Sequence, residues 1–212
     1  PADAIAVIDC FEIDVPKPVR DHLLAADEPP SAPDNNSYRM IASPAQALKA
    51  AASMARELGY TPLILGDSLE GESRELGRIM ASIARSVRTL GEPVRAPAVL
   101  LSGGETTVTI GTGGAGRGGR NTEFLLALAI DLEGEPGIWA LAGDSDGIDG
   151  TEDAAGAVIT PDTLTRAVEA RADPRDALTR HDSYSLFDAT GDLVMTGPTL
   201  TNVNDIRVVM VR

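Results

Sequence analysis

Basic residues, aromatic residues and cysteine are all scarce in this chain of 212 residues. Only 18 lysines and arginines stand against 32 acidic residues, which gives a formal charge of −14. Such a surface repels phosphate backbones, so a nucleic-acid binder that acts by bulk charge is excluded. Aromatic residues make up 3% and apolar residues 43% of the chain, so the core of a folded domain must consist of Ala, Val, Ile and Leu.

The lone Cys10 and the two histidines restrict the chemistry further. One cysteine forms no internal disulfide, and His22 and His181 are too distant in sequence for zinc-site spacing. The predicted location is therefore a reducing cytoplasm. No apolar run reaches the roughly 18 residues that span a bilayer, and no signal-peptide pattern is present, so no membrane association is expected. The first residue is Pro1 rather than Met, which indicates a partial chain.

Strand and helix patterns alternate along the chain. They predict an α/β layered sandwich with a largely parallel or mixed sheet and helices on both faces. The predicted helices cover residues 4–11, 16–24, 44–59, 71–90, 121–132 and 161–172. The predicted strands cover residues 38–42, 61–65, 98–101, 106–110, 138–142, 157–160, 193–196 and 206–211. The Pro-, Asp- and Asn-rich stretch 27–37 is predicted to be a loop and linker.

Small, acidic turns follow three of these strands, at residues 65–68, 101–105 and 142–146. Ligands of open α/β sheets bind beyond the carboxyl ends of the strands. If the strands are parallel, the three turns line a common edge and a binding site is expected there. Ordinary turn chemistry is the alternative, because Gly, Asp and Ser favour turns anyway.

A glycine-rich loop, GTGGAGRGGRN at 111–121, lies between a predicted strand and a predicted helix. Glycines let the backbone approach a ligand, and the following helix N-terminus adds partial positive charge. Arg117 and Arg120 could then hold a phosphate or a carboxylate. A surface loop with solubilising arginines is the alternative interpretation.

The same loop matches the dinucleotide fingerprint formally, as Gly111-x-Gly113-x-x-Gly116. That fingerprint also needs an acid roughly 20 residues further on, at the end of a strand. Asp131 has the right spacing but lies at the end of a predicted helix. A nicotinamide site is therefore poorly supported, and the absence of Gly-Lys-Ser/Thr excludes a Walker loop.

Five acidic residues lie between positions 144 and 153. Crowded carboxylates repel each other unless a cation or a set of amides relieves them, which favours Mg²⁺ with Asp144, Asp146 and Asp149 as its ligands. An EF-hand is rejected, because Ile148 and Ala155 fall at ligand positions. A solvated turn is the alternative for the last two acids, at 152–153.

The stretch 196–205 connects two predicted strands with polar side chains that include Asn202 and Asn204. It is longer than the two to five residues of a typical tight hairpin. A binding role is one interpretation, and a capped irregular turn is the other.

Four motifs in order carry a resemblance to a known family. They are SGGETTV (102–108), GGRNTEF (118–124), AGDSDGIDG (142–150) and TGPTLTNVND (196–205). Together they resemble the MOFRL domain of the type 2 glycerate kinases, whose members are often labelled hydroxypyruvate reductases of tartrate metabolism. The resemblance implies that residues 97–212 form the MOFRL domain. It implies that residues 1–96 are the C-terminal part of the preceding kinase region.

The resemblance implies an enzyme that uses ATP and Mg²⁺ to phosphorylate D-glycerate to 2-phosphoglycerate in a cleft. Arg120 would be its catalytic arginine, and the family's catalytic lysine would lie in an N-terminal half that this chain lacks. The chain alone is therefore expected to be inactive. Residues predicted to bind substrate or nucleotide are Gly103, Gly104, Glu105, Thr106, Gly118, Gly119, Asn121, Asn202 and Asn204.

Two alternatives to the kinase stay open at this point. One is an NAD(P)H-dependent hydroxypyruvate reductase of tartrate degradation, and the other is a non-catalytic module that binds small acids. The expected partners are glycerate and a nucleotide, without nucleic acid or membrane. A homo-oligomer, the nucleotide preference and the phosphorylated hydroxyl are left open.

Overall fold

The computed structural model describes residues 2–25, 37–112, 114 and 116–212. These residues form the helices α1 (Ala2–Cys10), α2 (Lys17–Ala25), α3 (Pro44–Glu57), α4 (Ser73–Leu90), α5 (Arg120–Leu132), α6 (Thr163–Glu169), α7 (Pro174–Thr179) and α8 (Ser183–Thr190). They also form the strands β1 (Thr61–Gly66), β2 (Ala98–Gly104), β3 (Ile138–Asp144), β4 (Gly156–Ile159), β5 (Leu193–Val194) and β6 (Asp205–Val211). The chain divides into two units, residues 1–40 and residues 41–212.

The first unit contains α1 and α2, both of which the sequence predicts. Arg20 of α2 donates to Asp9 of α1 across 2.7 Å, and Ile8 is the buried residue of α1. Apart from Ser37, the predicted loop at 27–37 lies outside the described residues. Among the helices that the structure describes in either unit, none is long and apolar enough to cross a membrane.

The second unit is built on one sheet of six strands in the order β1-β2-β6-β3-β4-β5. β1 and β2 pair in parallel, and the other neighbouring strands pair antiparallel. The predicted α/β architecture is confirmed, with a mixed rather than a largely parallel sheet. The predicted strands at 61–65, 98–101, 138–142, 157–160, 193–196 and 206–211 all form, some with shifted ends.

Helices cover both faces of the sheet, and the side chains of β2 point alternately to one face and the other. Val99 and Leu101 pack with Leu48 of α3 on one face. Leu100 packs on the other face, in a larger cluster that includes Phe124 of α5. This burial on both faces explains why β2 is an uninterrupted apolar run. The main core therefore lies between the sheet and the two helices α4 and α5.

Local signals set where two of the helices begin. Ser43 accepts a hydrogen bond from the backbone N–H of Gln46 at 3.3 Å, and Pro44 follows at the first helical position, as the sequence predicts. The same signal precedes α7, where Asp173 caps the helix before Pro174. The sequence analysis overlooked α7 and α8, although this Asp-Pro pair could have revealed the first of them.

Two predicted strands do not form. Residues 38–42 have no regular structure, and the side chains of Tyr38 and Ile41 are exposed. Residues 106–110 make a single bridge, between Thr107 and Glu72. The carboxylate of Glu72 accepts from the backbone N–H of Thr109 at 3.2 Å. This segment therefore bonds to the loop before α4 instead of to the sheet.

The carboxyl ends of β1, β2 and β3 meet at one edge of the sheet. β6 runs antiparallel to both β2 and β3, so these two strands point the same way and β6 begins where they end. In register, Asp205 of β6 stands between Gly104 of β2 and Asp144 of β3. The expectation that the three acidic turns share an edge is therefore confirmed.

The predicted domain boundary at 96/97 falls inside the second unit, because β1 and β2 are neighbours in its sheet. That boundary describes the extent of a family domain rather than of a compact unit. It stays a prediction.

Candidate functional site

A cleft of about 560 Å³ opens at the edge of the sheet where β2 and β3 end. The turns that follow β2 and β3, the glycine-rich loop and the first turn of α5 form its walls, whereas the acidic turn at 65–68 contributes no lining residue. The lining residues are Glu105, Val108, Ile110, Gly116, Gly118, Gly119, Arg120, Glu123, Asp144, Asp146, Ile148, Gly150, Thr151, His181 and Asn202. Of the predicted catalytic, binding and metal residues, the cleft brings together Glu105, Gly118, Gly119, Arg120, Asp144, Asp146 and Asn202.

Three carboxylates hold Arg120 at the start of α5. Its Nη1 donates to Glu105 Oε1, and its Nη2 donates to Asp144 Oδ2 at 2.7 Å and to Asp205 Oδ1 at 3.2 Å. The side chain of Glu105 is 59% exposed, whereas those of Asp144 and Asp205 are buried. Burial alone would lower the pKa of Arg120, but the charges of Asp205 and Glu105 outweigh it and raise the pKa. Arg120 is therefore a charged group on the wall of the cleft.

Behind Arg120 lies a buried ion pair that the sequence analysis missed. Arg207 is fully buried, and its Nη2 donates to Asp205 Oδ2 at 2.6 Å and to Thr106 Oγ1 at 3.1 Å. Burial raises the pKa of Asp205 and lowers that of Arg207, although the opposite charge of each partner acts against the shift. The available sequence signal was an arginine within the predicted strand 206–211, whose other residues are all apolar.

Asp149 caps α5 and does not line the cleft. Its Oδ1 accepts from the backbone N–H of Asn121 at 3.0 Å, and its Oδ2 accepts from that of Thr122 at 2.9 Å. Burial raises the pKa of Asp149, and these hydrogen bonds act in the opposite direction. A helix N-terminus favours a negative group. A carboxylate of the chain itself therefore takes the place that the sequence suggested for a bound anion.

The three aspartates predicted as magnesium ligands do not gather in one place. Within the described ranges, no group of three or more His, Cys, Asp or Glu side chains is placed to hold a metal ion. Asp144 and Asp146 both line the cleft, and Asp144 Oδ1 accepts from the backbone N–H of Asp146 at 3.1 Å. Burial, together with the charge of Asp205, raises the pKa of Asp144. Asp149 caps α5, so of the three predicted ligands Asp144 and Asp146 face the cleft.

Arg117 is absent from the lining of the cleft. Its Nη2 donates to Glu152 Oε2 at 2.7 Å, and its guanidinium carbon lies 4.0 Å from the centroid of the Tyr184 ring. The Tyr184 hydroxyl in turn donates to Asp153 at 2.6 Å. The expectation that two arginines of the glycine-rich loop share one anion is therefore wrong, because only Arg120 reaches the cleft.

Five predicted binding residues lie outside the cleft lining, namely Gly103, Gly104, Thr106, Asn121 and Asn204. The carbonyl of Gly103 accepts from the N–H of Leu69 at 3.0 Å, and the carbonyl of Asn204 also accepts a backbone hydrogen bond. Asn121 Nδ2 donates to Asp205 Oδ1 at 2.9 Å. These residues form the frame that holds the edge of the sheet together.

A second charged cluster joins the cleft wall to α4. Glu123 Oε1 accepts from Arg74 Nη2 at 2.6 Å and lies 3.1 Å from His181 Nδ1. Glu123 and His181 line the cleft, and the Glu123 side chain is buried. The sequence analysis missed this cluster because the three residues lie far apart in the chain and form no motif.

Replacing Asp149 with alanine is expected to lower the free energy of unfolding by about 2 kcal/mol, because buried donors of α5 lose their acceptor. Guanidinium unfolding of the 212-residue chain measures the loss. Asp173→Ala, which removes an exposed cap from the short α7, is the control and is expected to cost about 1 kcal/mol or less. An Asp149→Ala variant as stable as the control would show that Asp149 does not anchor α5.

Comparison with known proteins places these features in a family. The model of the MOFRL family matches residues 98–205. Over 211 residues the chain is 58% identical to a protein of Agrobacterium vitis that is named as a hydroxypyruvate reductase, with 99% of this chain and 48% of that protein covered. It is 37% identical over 204 residues to the D-glycerate 2-kinase of Thermotoga maritima, with 96% and 48% covered.

The solved structures agree with the sequence comparison. A crystal structure of glycerate kinase from Thermotoga maritima superposes with a TM-score of 0.89 at 36% identity, over 100% of this chain and 50% of that chain. The chain therefore spans about half the length of the curated relatives it matches. Every residue that lines the cleft falls within the range that the family model matches. The chain belongs to the MOFRL family.

Proposed function

We propose that this chain supplies part of the active site of an ATP-dependent glycerate kinase. The enzyme would transfer the γ-phosphoryl group of ATP to D-glycerate and form 2-phosphoglycerate. The observation that carries the proposal is the charged guanidinium of Arg120 on the wall of the cleft. The relative named D-glycerate 2-kinase supports the same activity. Because the chain spans about half of that relative, the proposal concerns the whole protein in which the chain occurs.

Arg120 can bind an anion without losing its anchor. Its Nη2 is fixed by the buried carboxylates of Asp144 and Asp205, whereas its Nη1 pairs with the exposed Glu105. An exposed ion pair contributes little free energy, so Glu105 can move into solvent and leave Nη1 to a substrate oxygen. Phosphoryl transfer depends mainly on positive charge held in place. We expect Nη1 to hold the transferred phosphoryl group or the glycerate carboxylate.

Magnesium would arrive with ATP, and Asp144 and Asp146 are the residues that fit it. Mg²⁺ usually takes one or two carboxylates and completes its shell with phosphate oxygens and water. When bound, the ion neutralises charge that develops on the phosphates. Asp149 does not fit, because it is buried beneath the start of α5 and does not line the cleft. The proposed metal site is therefore limited to Asp144 and Asp146.

The other predicted ligand contacts lie on the wall of the same cleft. Gly118, Gly119 and Asn202 line the cleft and are the proposed contacts to glycerate and nucleotide, whereas Glu105, which the sequence also predicts as a contact, is proposed to yield its place on Arg120 to the substrate. Asn202 Nδ2 lies 3.4 Å from Asp146 Oδ2, which brings it next to the proposed metal ligand. A cytoplasmic location and a homo-oligomer stay predictions.

The test is a product assay on a full-length polypeptide that carries this chain. ATP, Mg²⁺ and D-glycerate are expected to give ADP and 2-phosphoglycerate, and omission of D-glycerate is expected to abolish ADP formation. Hydroxypyruvate with NADH or NADPH is offered in parallel, because a relative carries the reductase name. Oxidation of the nicotinamide without any ADP formation would overturn the kinase proposal.

The reductase alternative lacks a matching geometry. The acid that would hold the nicotinamide ribose should follow a strand, but Asp131 lies within α5. No observation on the described residues favours this activity over the kinase.

A further inference from the structure

Arg207 is a charged side chain that core packing does not explain. It is fully buried, on the same strand face as the buried Val209, and its guanidinium carbon lies 5.5 Å from the centroid of the Phe124 ring. A buried ion pair seldom stabilises a protein more than well-packed apolar side chains would. Moreover, Nε and Nη1 of Arg207 have no hydrogen-bond partner among the described residues, which adds a further cost.

The hydrogen bonds of Arg207 Nη2 connect this side chain to the cleft. Arg207 Nη2 donates to Asp205 Oδ2 at 2.6 Å. The other oxygen, Asp205 Oδ1, accepts from Arg120 Nη2 at 3.2 Å and from Asn121 Nδ2 at 2.9 Å. The carboxylate of Asp205 is thereby fixed between two arginines, one in the core and one on the cleft wall.

The balance of charge around Arg120 shows what this connection does. Glu105, Asp144 and Asp205 all pair with the single guanidinium of Arg120. An incoming anion would meet this surplus of negative charge and be repelled by it. Arg207 neutralises Asp205 from the side away from the cleft, which leaves more of the positive charge of Arg120 for a ligand.

We propose that Arg207 is a positioning residue, which neutralises and orients Asp205 so that Arg120 presents its charge to a phosphate or carboxylate anion in the cleft. Arg207 does not line the cleft and acts through Asp205. The inference rests on the proposed function in one respect, because it takes Arg120 as the group that binds the anion.

The first test is spectroscopic and needs no enzymatic activity. The Nε–Hε resonance of Arg120 is recorded in the 212-residue chain labelled with ¹⁵N-arginine and is assigned by its loss in Arg120→Lys. Arg207→Gln keeps a donor near Asp205 but removes the charge, and Arg207→Lys keeps the charge. The Arg120 resonance is expected to shift and broaden in Arg207→Gln and to stay close to its original position in Arg207→Lys. Arg88→Gln, which removes an arginine paired with Glu135, is the control and should leave the Arg120 resonance unchanged.

The second test measures affinity for inorganic pyrophosphate by calorimetry, on a full-length polypeptide. Arg207→Gln is expected to weaken binding about tenfold, whereas Arg207→Lys is expected to retain it within about threefold. Equal affinities for the two variants, together with an unchanged Arg120 resonance in Arg207→Gln, would overturn the proposal. If the original protein neither binds pyrophosphate nor forms ADP, the proposed function fails, and the resonance of Arg120 still decides the role of Arg207.

A folding control keeps both tests decisive. Should Arg207→Gln fail to fold, the double variant D205N/R207M replaces it, because it leaves no uncompensated charge at this pair. We expect this double variant to melt cooperatively and to bind pyrophosphate within about threefold of the original protein, because the charge that Arg207 neutralises is removed together with Arg207. A loss of pyrophosphate affinity of about tenfold or more in this variant would overturn the proposal, since no charge of Asp205 is left there to repel the anion.

Discussion

Replacing Arg120 with alanine is expected to lower kcat/KM of a full-length polypeptide carrying this chain by at least about a hundredfold. The removal of one charged donor from a site that stabilises a transition state usually costs about 3 kcal/mol or more. Arg120 is the arginine of the glycine-rich loop that lines the cleft, so no second one of that loop can replace it. Steady-state ADP formation with D-glycerate measures the loss.

Two further variants separate loss of function from loss of structure. Arg120→Ala leaves the buried Asp144 without its cation and Asp205 with Arg207 alone, so its melting temperature must be compared with that of the original protein. Arg78→Ala, which removes an exposed arginine paired with Glu75 on α4, should retain full activity. Arg120→Lys should recover part of the activity, because it restores a point charge without the fork geometry. An Arg120→Ala enzyme within a few-fold of the original would refute the assigned role.

Replacing Gly104 with alanine is expected to lower the free energy of unfolding by about 4 kcal/mol or more. Gly104 ends β2 with φ +115°, and a Cβ there would overlap the backbone N and O of Leu69 and lie 2.7 Å from the carbonyl carbon of Ser68. These contacts are to backbone atoms, which cannot rotate away, so overpacking adds to the strain of the positive φ. Chemical denaturation of the 212-residue chain gives the value.

Gly71→Ala is a closely matched control for Gly104→Ala. Gly71 has φ +112°, close to the φ of Gly104, but nothing lies within 4 Å of its added Cβ. The Gly71→Ala substitution should therefore lower the free energy of unfolding only by the strain of the positive φ, about 1–3 kcal/mol. Similar losses in the two variants would mean that the turn of Leu69 does not pack tightly against the end of β2.

Local patterns predicted much of the sheet, because the features that mark its elements are neighbours in sequence. The Ser43-Pro44 pair identified the start of α3, and the apolar residues 98–101 identified β2. The two unformed strands, at 38–42 and 106–110, show the limit of such patterns. An alternating or apolar stretch becomes a strand only if another strand is available to receive its backbone hydrogen bonds.

The candidate site was predictable in its location but not in its contacts. Two of the three acidic turns and the glycine-rich loop do meet at one cleft, and Arg120 lines it. The pairing of Arg117 with Glu152, and of Arg207 with Asp205, depends on the direction in which each side chain leaves the backbone. Sequence spacing carries no information on that direction once the partners lie on different elements. Asp149 illustrates the same point, since the sequence shows an acid and the structure shows a cap.

Glu105 gives the cleft a selectivity of its own. Because this carboxylate is tethered close to Arg120, any anion from solution must displace it, at the small cost of an exposed ion pair. Chloride has one charge and no fork of oxygens with which to replace it. A phosphate or a carboxylate can offer two oxygens to the guanidinium at once. We therefore expect Glu105 to give up Arg120 more readily to a phosphate or a carboxylate than to chloride.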